Sequence, residues 1–404
     1  MTKSKVHGGT CSSEMVPLPL PPGPWPCPLV GSLPEMVLNK PAFRWIHRVM
    51  KDMGTDIACF RLGSVHVIPI TCPKIAREVL KKQDKNFSSR PLTFASGTIS
   101  SGYKDAVLSF AFCVSDYLPC LLGLDLDGHE KIIKEANTKV DRLHDVVIEE
   151  RWRQWNSGER QDGVQDFLDV LITLADGDGK PLLNIDEVKA QSKGIILAAI
   201  DNPSNAVEWA LAEMVNNPEL LAKAVEEMDW VVGRERLVQE SDIMQLNYLK
   251  ACIREAFHLH PIAPFNLPHV AIVDTIVAGY RVPKGSNVIL SRLALGRNPT
   301  VWDEPLHFKP ERHMGDNINV VLTESELRFI SFSTGRRGCI AASLGTTMSV
   351  MLFGRLLHGF TWTKPVGVSA INLSESKHNL FIENPLVLHA EPRLPVHLYP
   401  LMHV

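Results

Sequence analysis

Residues 332–341 read Phe-Ser-Thr-Gly-Arg-Arg-Gly-Cys-Ile-Ala, a loop-type sequence that places one cysteine just before a helix-forming run. Thiolate is the form of cysteine that binds metals, and a helix N-terminus favours it. Gly335 and Gly338 can adopt backbone conformations that other residues avoid, which would let a flat ligand approach. The two arginines between these glycines suit bidentate binding of a carboxylate. The stretch therefore predicts a binding loop for a ligand that carries metal and acidic groups.

A flat metal macrocycle with acidic side groups fits this combination, and haem held by a cysteine is one such ligand. Thiolate donation to haem iron favours cleavage of the O–O bond. The alternative is a buried, inert cysteine after an ordinary glycine turn, because free cysteines are often buried. The chemistry of the loop alone leaves both interpretations open.

The spacing of the loop favours the first interpretation. Phe-x-x-Gly-x-Arg-x-Cys, from Phe332 through Gly335 and Arg337 to Cys339, resembles the haem-thiolate signature of the cytochrome P450 monooxygenases. Ala341 stands where that family often has glycine. The longer run of residues 332–362 resembles one plant branch, the aldoxime-forming amino-acid N-monooxygenases, in which alanine at this position is usual.

The resemblance implies a mainly α fold with a minor β part, the haem-thiolate prism. It implies haem b as the cofactor, with Cys339 as the axial ligand of the iron and Phe332 and Gly335 in the loop that holds it. Arg337 and His269, the latter in the sequence Asn-Leu-Pro-His of residues 266–269, would contact the haem propionates.

Composition is that of an ordinary globular protein and gives no indication of nucleic-acid binding. The chain has 404 residues, of which 45% are hydrophobic and 22% charged, and its net charge is only −3. Such a charge provides no broad field for nucleic acid. The eight cysteines are scattered and form no Cys-x-x-Cys pair, which indicates free thiols in a reducing compartment.

The N-terminal region, residues 1–34, is predicted to be a polar start followed by a stiff, proline-rich segment. Residues 17–34 resemble the hinge that joins the membrane anchor to the catalytic body in microsomal members of the family, although aromatic grooves also recognise such segments. The resemblance implies the cytosolic face of the endoplasmic reticulum. Residues 1–16 contain no apolar run of the roughly 18 residues that span a bilayer, so a soluble or peripheral protein is expected.

The rest of the chain, residues 35–404, is predicted to form one haem-thiolate monooxygenase domain that is internally truncated. In the family, the loop-like region 87–109 leads into a helix whose Trp and Arg contact a propionate. Here Leu108 and Ser109 run directly into Phe110. The resemblance implies that roughly 100 residues are missing near positions 109–110, because the chain is short for this family.

A long helix is predicted from the capping box of Asn184 and Glu187 to about residue 216. Its apolar centre, residues 195–200, predicts burial on most sides. Pro203 removes a helical N–H and clashes with the preceding turn, so either a kink with a freed carbonyl or two helices meeting at the proline are expected.

The resemblance places the oxygen-binding groove of the family at this proline. Asp201 would deliver protons to bound dioxygen, and Asn202 and Ser204 would orient water or substrate. Asn202 stands where the family usually has threonine, and this substitution resembles the aldoxime-forming branch.

The helix over residues 241–260 carries Glu255 and His258 on one face. The family has Glu-x-x-Arg here and pairs both residues with a second arginine, matched by Arg312, in a cluster that braces the cysteine loop. Because His258 has no guanidinium fork, the prediction is that Glu255 pairs with Arg312 and that the second arm is missing.

Taken together, the resemblance implies that an aromatic amino acid, tyrosine or phenylalanine, is hydroxylated at nitrogen with dioxygen and converted to its aldoxime. Electrons would come from NADPH through an NADPH-cytochrome reductase, a flavoprotein. Two alternatives stay open. The first is a defective, truncated member without activity, which the missing segment and His258 suggest. The second is a haem-thiolate isomerase or dehydratase, which the absent groove threonine allows.

Overall fold

The computed structural model describes residues 18–100, 102, 112–160, 163–315 and 319–399. Within these ranges the chain is mainly α with a smaller β part, as predicted. The helices are α1 (Leu33–Leu38), α2 (Ala42–Asp52), α3 (Pro73–Arg77), α4 (Phe94–Ile99), α5 (Val114–Tyr117), α6 (His129–Asn156), α7 (Phe167–Thr173), α8 (Ile185–Asn216), α9 (Pro218–Val231), α10 (Asn247–Leu259), α11 (Arg292–Gly296) and α12 (Ala342–Gly359). The strands are β1 (Phe60–Leu62), β2 (Val65–Ile70), β3 (His269–Val270), β4 (Thr275–Val277), β5 (Tyr280–Val282), β6 (Asn287–Leu290), β7 (Phe360–Thr363) and β8 (His389–Pro392).

The main sheet joins strands from the N-terminal part of the chain, β1 and β2, to the later strands β3 and β6. Its strand order is β1-β2-β6-β3, with β1 and β2 forming a hairpin around Gly63. Strand β2 pairs in parallel with β6, with Val67 opposite Asn287 and Ile70 opposite Leu290. Every residue of β6 is buried, as expected for a strand between two neighbours in a covered sheet. His269 on β3 pairs with Val288, so the sheet positions one predicted ligand-binding residue.

The helical core forms where α8, α9, α10 and α12 pack together. The C-terminal half of α8, from Val207 to Val215, interdigitates with α10 and with the second half of α12. Large side chains such as Met214 and Phe353 are fully buried here. Burying a side chain of this size contributes roughly 1.5–3 kcal/mol, so this layer anchors the helix that follows the cysteine loop.

Helix α8 begins as predicted but continues through its proline. Asn184 accepts a hydrogen bond from the Glu187 N–H at 3.0 Å, and the Glu187 carboxylate accepts one from the Asn184 N–H at 2.9 Å. Pro203 lies inside one helix of 32 residues, so the alternative of two helices meeting at the proline is wrong.

The prediction of burial for residues 195–200 is also wrong. Ile196, Leu197 and Ile200 are all more than two-fifths exposed, whereas the helix from Asn205 to Val215 is almost wholly buried. An apolar run predicts burial, but hydrophobicity alone does not distinguish a surface in the core from a surface that lines an open space. The turn of α8 that precedes Pro203 therefore faces outward in the part of the chain that the structure describes.

Two predictions concern parts of the chain outside the described residues. The junction at positions 109–110 and the polar start, residues 1–17, both lie there. Among the helices that the structure does describe, none combines the length and the apolar character needed to cross a bilayer.

Candidate functional site

The cysteine loop is closed by two backbone hydrogen bonds. The Cys339 N–H donates to the Phe332 carbonyl at 2.8 Å, and the Gly338 N–H donates to the Gly335 carbonyl at 3.0 Å. The Cys339 side chain is exposed to solvent, and the side chain of the neighbouring Ile340 is fully exposed. The alternative of a buried, inert Cys339 is therefore wrong, because the loop projects the thiol outward at the start of α12.

Gly335 and Gly338 serve the loop in different ways. Gly335 adopts a φ of +77°, and a Cβ there would lie 2.3 Å from the Leu80 carbonyl oxygen. The close approach is thus made by the backbone of the helical turn Glu78–Lys82, which follows α3. Gly338 has an ordinary φ of −58°, so the prediction of an unusual backbone conformation is wrong for it. A Cβ on Gly338 would come within 3.3 Å of the Gly335 carbonyl, which shows that its small size is what the turn requires.

Phe332 fastens the loop to the helical core. Its ring packs edge-to-face against Phe257 of α10 with ring centroids 5.7 Å apart. On the other side it lies so close to Gly345 of α12 that a Cβ there would be 2.9 Å from the ring. The aromatic residue at the start of the signature therefore sets the position of the loop between two helices.

Cationic side chains gather beside the loop. The Arg337 Nε donates to the Ser88 carbonyl at 2.6 Å, and Arg90 donates to the carbonyls of Leu267 and Pro268 at 2.7 and 2.8 Å. Burial lowers the pKa of Arg90 to about 10, and the neighbouring Arg337 charge adds to that shift. These arginines are held by neutral carbonyl oxygens, so their charges are available to an anion.

His269 is buried next to these arginines and has one unused nitrogen. Its Nδ1–H donates to the Phe87 carbonyl at 2.9 Å. Its Nε2 is shielded from solvent and has no hydrogen-bond partner among the described residues. Burial, reinforced by the Arg90 and Arg337 charges, lowers the pKa of His269 to about 4. His269 and Arg337 line one crevice, together with Leu80, Asp84, Phe87, Thr334 and Arg336.

Arg292 is a further cation of the site that the sequence did not reveal. It begins α11 directly after the buried strand β6, and its backbone N–H donates to the Pro264 carbonyl at 2.9 Å. Burial lowers the pKa of its guanidinium to about 10, and the Cys339 sulfur opposes that shift. Its Nε is shielded and unpaired within the part of the chain described here. An arginine that follows a β-rich run is the only signal that could have found it.

The brace around Glu255 is more complete than predicted. Arg312 donates through Nε to Oε1 of Glu255 at 3.1 Å, as expected. The other oxygen is bonded to His258 Nδ1 at 3.1 Å and to His313 Nε2 at 2.7 Å. The prediction that the second arm is missing is therefore wrong, because the next residue after Arg312 supplies it.

Electrostatics of the brace confirm that Glu255 is ionised. Burial opposes ionisation, but hydrogen bonds from His258 and His313 outweigh it and lower the pKa of Glu255 to about 2. Burial also lowers the pKa of His313, so this histidine is neutral at pH 7. Arg254 donates to His313 Nδ1 at 3.2 Å, which fixes the tautomer with the proton on Nε2, toward Glu255.

The three predicted catalytic residues lie on the exposed turn of α8. The Asn202 amide donates to the Ala198 carbonyl and the Ser204 hydroxyl to the Ile200 carbonyl, both at 2.8 Å. Pro203 has no N–H for the Ala199 carbonyl, one turn earlier. Asp201 is exposed at the same turn. Within the described ranges, no hydrogen bond or ion pair joins this group to the loop of Cys339, although α8 and α12 pack together.

Comparison with known proteins identifies the family. The family model described as Cytochrome P450 matches residues 98–389, more than half of the chain. This chain belongs to the cytochrome P450 family. It is 57% identical to the tyrosine N-monooxygenase of Sorghum bicolor, over 99% of this chain and 91% of the relative. It is 46% identical to the tryptophan N-monooxygenase 1 of Arabidopsis thaliana and 42% identical to the phenylalanine N-monooxygenase of the same plant, over 94% and 95% of this chain and 89% and 93% of the relatives.

Solved structures show the same fold at much lower identity. A zebra fish cytochrome P450, in a structure with abiraterone, matches 88% of this chain and all of its own with a TM-score of 0.70 at 20% sequence identity. The described elements therefore form the cytochrome P450 fold.

The residues at the loop fit the haem iron that membership of the cytochrome P450 family implies. Cys339 offers an outward-facing sulfur, which is the donor that this family uses. Beside it, the guanidinium of Arg337 provides donors for a carboxylate group, and His269 Nε2 would be a further donor in the protonated ring that an adjacent carboxylate favours. The same crevice contains one carboxylate, Asp84, which lies 3.5 Å from Arg336.

Proposed function

We propose that this chain is a haem-dependent monooxygenase that hydroxylates the nitrogen of an aromatic amino acid, tyrosine or phenylalanine, and converts it to the aldoxime. The observation that carries the proposal is the 57% identity to a tyrosine N-monooxygenase over 99% of the chain. Identity of this extent includes the substrate-facing parts of a fold as well as its core.

Haem bound here would supply the reductive activation of dioxygen. Cys339 would hold the iron through its sulfur, and its thiolate would be held outward by the hydrogen bond from its own N–H to the Phe332 carbonyl. His269 Nε2 and Arg337 would neutralise the propionates. Phe332 and Gly335 would hold the loop in position, through the Phe257 contact and the approach to Leu80.

The exposed turn of α8 would take part in proton transfer. Asp201 carries the carboxylate that would take up protons from solvent and hold them at the turn of α8 that precedes Pro203. Asn202 and Ser204 already satisfy the carbonyls of Ala198 and Ile200, so they stabilise the turn around the proline. The Ala199 carbonyl, for which Pro203 has no N–H, would accept a hydrogen bond from water or from the substrate amino group.

Arg292 would bind the carboxylate of the amino-acid substrate. Two propionates account for two anions, and His269 and Arg337 suffice for them. Arg292 is then a surplus cation near Cys339, without an acidic partner among the described residues. A half-buried guanidinium is well suited to bidentate recognition of a carboxylate.

The further requirements of the reaction are those of the resembled branch. Dioxygen is the co-substrate, and an NADPH-cytochrome reductase, a flavoprotein, would supply the electrons. The proposed place of action is the cytosolic face of the endoplasmic reticulum membrane.

We also propose that the internally absent residues lie between Leu108 and Phe110. The alignment to the tyrosine N-monooxygenase has a length of 511, which exceeds the 404 residues of this chain. Sequencing the transcript across these positions tests the placement, and a continuous transcript with a longer coding region here would show that this chain is a shortened form.

A spectroscopic experiment tests haem binding. The expressed chain is reduced, treated with carbon monoxide and examined for the red-shifted Soret band of a thiolate-ligated haem. We expect Cys339→Ala to abolish the band and Cys120→Ser, which removes another exposed thiol, to leave it intact. Absence of haem from the unmodified chain would support the defective alternative.

Turnover tests the reaction. With a plant NADPH-cytochrome reductase, tyrosine and phenylalanine are each expected to yield an aldoxime in an oxygen-dependent reaction. A thiolate band without any oxygen-dependent product would leave the isomerase or dehydratase alternative. No specific observation favours either alternative.

A binding experiment isolates Arg292. Arg292→Gln is expected to weaken tyrosine binding, measured by the substrate-induced shift of the Soret band, by at least about tenfold, because an unpaired carboxylate costs roughly 1.5–3 kcal/mol. Tyramine, which lacks the carboxylate, should bind the variant and the unmodified protein equally. Arg336→Gln is the matched control, since it removes an exposed cation of the same loop. Equal loss for tyrosine and tyramine would contradict the assignment.

A further inference from the structure

A thiol, a carboxylate and an imidazole meet at the start of α5 and α6, apart from the cysteine loop. Cys113 Sγ lies 3.9 Å from Oδ1 of Asp127, and His129 Nδ1 lies 3.1 Å from Oδ2 of the same carboxylate. One ligand atom from each of the three residues falls within 4.8 Å of the other two. The donors are thus one sulfur, one oxygen and one nitrogen around a common point.

Burial makes this group unusual for a set of polar side chains. Cys113 is only 1% exposed, and the side chain of Asp127 is 2% exposed. The polar neighbours of the Cys113 thiol are Ser115 and the Asp127 carboxylate, the latter at the long distance of 3.9 Å. A buried thiol at a carboxylate gains little from so weak a hydrogen bond.

The surroundings carry more negative charge than the described side chains neutralise. Asp116 lies beside the group, and its Oδ1 accepts the Phe94 N–H at 2.7 Å. Its Oδ2 is shielded from solvent and has no hydrogen-bond partner among the described residues. Glu130 follows His129, and Lys134 reaches it only at 3.8 Å. A cation at the centre of the group would pair with these carboxylates.

Separations between the donor atoms are close to those of a tetrahedral metal site. Zinc binds sulfur at about 2.3 Å and histidine nitrogen or carboxylate oxygen at about 2.0–2.2 Å, so tetrahedral ligands stand roughly 3.2–3.8 Å apart. The observed 3.1 and 3.9 Å end on different oxygens of Asp127 and lie just outside this range, so small side-chain shifts would bring the three donors onto one ion. We propose that Cys113, Asp127 and His129 bind a zinc ion, with the unpaired oxygen of Asp116 or a water molecule as the fourth ligand.

The donor set distinguishes zinc from other metals. Calcium and magnesium take oxygen ligands, whereas a mixed thiolate, imidazole and carboxylate set favours zinc. Coordination replaces the thiol proton of Cys113, which leaves to solvent.

The capping role of Asp127 does not account for the group. Asp127 also accepts the backbone N–H groups of Val114 at 2.8 Å and His129 at 3.4 Å, which explains why an acid is needed at the helix starts. It does not explain why a buried cysteine and an imidazole approach the same carboxylate. Zinc would join the start of α5 to the start of α6 and fix the loop between them.

The site can be tested with zinc and cobalt ions on the full chain, with haem bound wherever the chain takes it up. After treatment with a chelator, the protein is titrated with zinc in competition with a chromogenic chelator. Cobalt(II) is added in a parallel sample to detect the thiolate-to-metal charge-transfer band. We expect one zinc per chain and a cobalt–thiolate band.

Matched variants locate the signal. Cys113→Ser and His129→Gln should each weaken zinc binding by at least tenfold, and Cys113→Ser should abolish the band. Cys120→Ser and His307→Gln, which change an exposed thiol and an exposed imidazole elsewhere, should leave both unchanged. Circular dichroism of the variants separates loss of zinc from loss of folding, and His129→Gln, at a half-exposed residue, is the variant that tolerates substitution best.

Three results would overturn the proposal. The first is a zinc content well below one per chain in the unmodified protein. The second is a cobalt band that survives Cys113→Ser. The third is a band that disappears in Cys339→Ala, which would assign the metal to the haem-type loop. None of these depends on monooxygenase activity, so failure here leaves the proposed function intact.

Discussion

The cysteine loop and the Glu255 brace differ in opposite ways from what their sequences indicate. The loop matches its signature in every position that defines it, yet its thiol and the following Ile340 stand exposed. The brace departs from its signature at His258, yet its carboxylate is fully buried and every oxygen is paired. A matching motif therefore does not guarantee an enclosed site, and a broken motif does not guarantee a broken network.

The difference has a physical cause. Enclosure of the loop depends on groups outside it, namely those that cover the open side of Cys339 and the exposed turn of α8. The brace is completed from within the described chain, because Arg312 and His313 are neighbours on one short helical turn. A residue nearby in the sequence can replace a lost hydrogen-bond partner, as His313 does in the brace. It cannot replace an element that covers an exposed side chain.

Removal of the carboxylate at the centre of the brace is expected to have the largest effect. Glu255→Gln leaves Arg312 without its anion in a buried position, and breaking a buried pair in this way costs roughly 3–5 kcal/mol. Urea unfolding should show this loss in the free energy of unfolding. Glu304→Gln, which removes an exposed acid from the same region, should leave it nearly unchanged. A small effect of Glu255→Gln would mean that the brace does not stabilise the fold.

Gly335→Ala tests the attachment of the loop. The new Cβ would lie 2.3 Å from the Leu80 carbonyl in a left-handed backbone conformation, so strain and displacement together are expected to cost roughly 2–4 kcal/mol. The haem-thiolate band should be lost or weakened in parallel.

Gly279→Ala provides the control for this variant. Gly279 has a similar φ of +81°, but nothing lies within 4 Å of the added Cβ. Gly279→Ala should lower the free energy of unfolding only by the cost of a left-handed backbone conformation, roughly 1–2 kcal/mol. Equal losses for the two variants would mean that contact with Leu80 does not hold the loop.

The buried His269 predicts a pH dependence of stability. Its pKa is about 4 in the folded chain against an ordinary 6.5, so the unfolded chain binds a proton first as the pH falls. Stability is therefore fully present above about pH 6.5 and declines down to about pH 4. Between pH 7.5 and pH 5 the loss from this residue is about 2 kcal/mol.

Urea unfolding at the two pH values checks this expectation. His269→Gln should remove about 2 kcal/mol of the difference, and the exposed His307→Gln should not. Addition of haem should also reduce the difference, because a propionate beside Nε2 would favour the protonated ring. A pH difference that is the same in His269→Gln would show that other groups cause it.

His258→Arg should have the smallest effect and tests the brace from the other side. A guanidinium offers Glu255 a fork and removes the buried, unpaired Nε2 of His258. Because His313 already serves the same oxygen, a gain of only about 1 kcal/mol in the free energy of unfolding is expected. Gain of several kcal/mol would show that the histidine pair is a poor replacement for the arginine.

The sequence predicted most of the architecture because the relevant patterns are local. The capping box at Asn184 and the helix after Cys339 each depend on a few adjacent residues, and both are observed. The family followed from one signature of fixed spacing.

The errors concern contacts between residues far apart in the chain. Exposure of residues 196–200 depends on which element covers them, and hydrophobicity does not report that. His313 and Arg292 became visible only when the fold brought them to Glu255 and Cys339. Gly335 was understood correctly as a residue of unusual φ, but its neighbour is Leu80, which lies in a distant part of the sequence.

The parallel pairing of β2 with β6 has a consequence for chain entropy. It joins residues 65–70 to residues 287–290, so the whole chain between them is a closed loop. The free-energy cost of closing such a loop grows only with the logarithm of its length, by about 0.6 kcal/mol for each doubling. Shortening or lengthening the chain between these strands therefore hardly changes the free-energy cost of bringing the two strands together. An insertion or deletion in that interval can therefore be accommodated at little cost to the sheet.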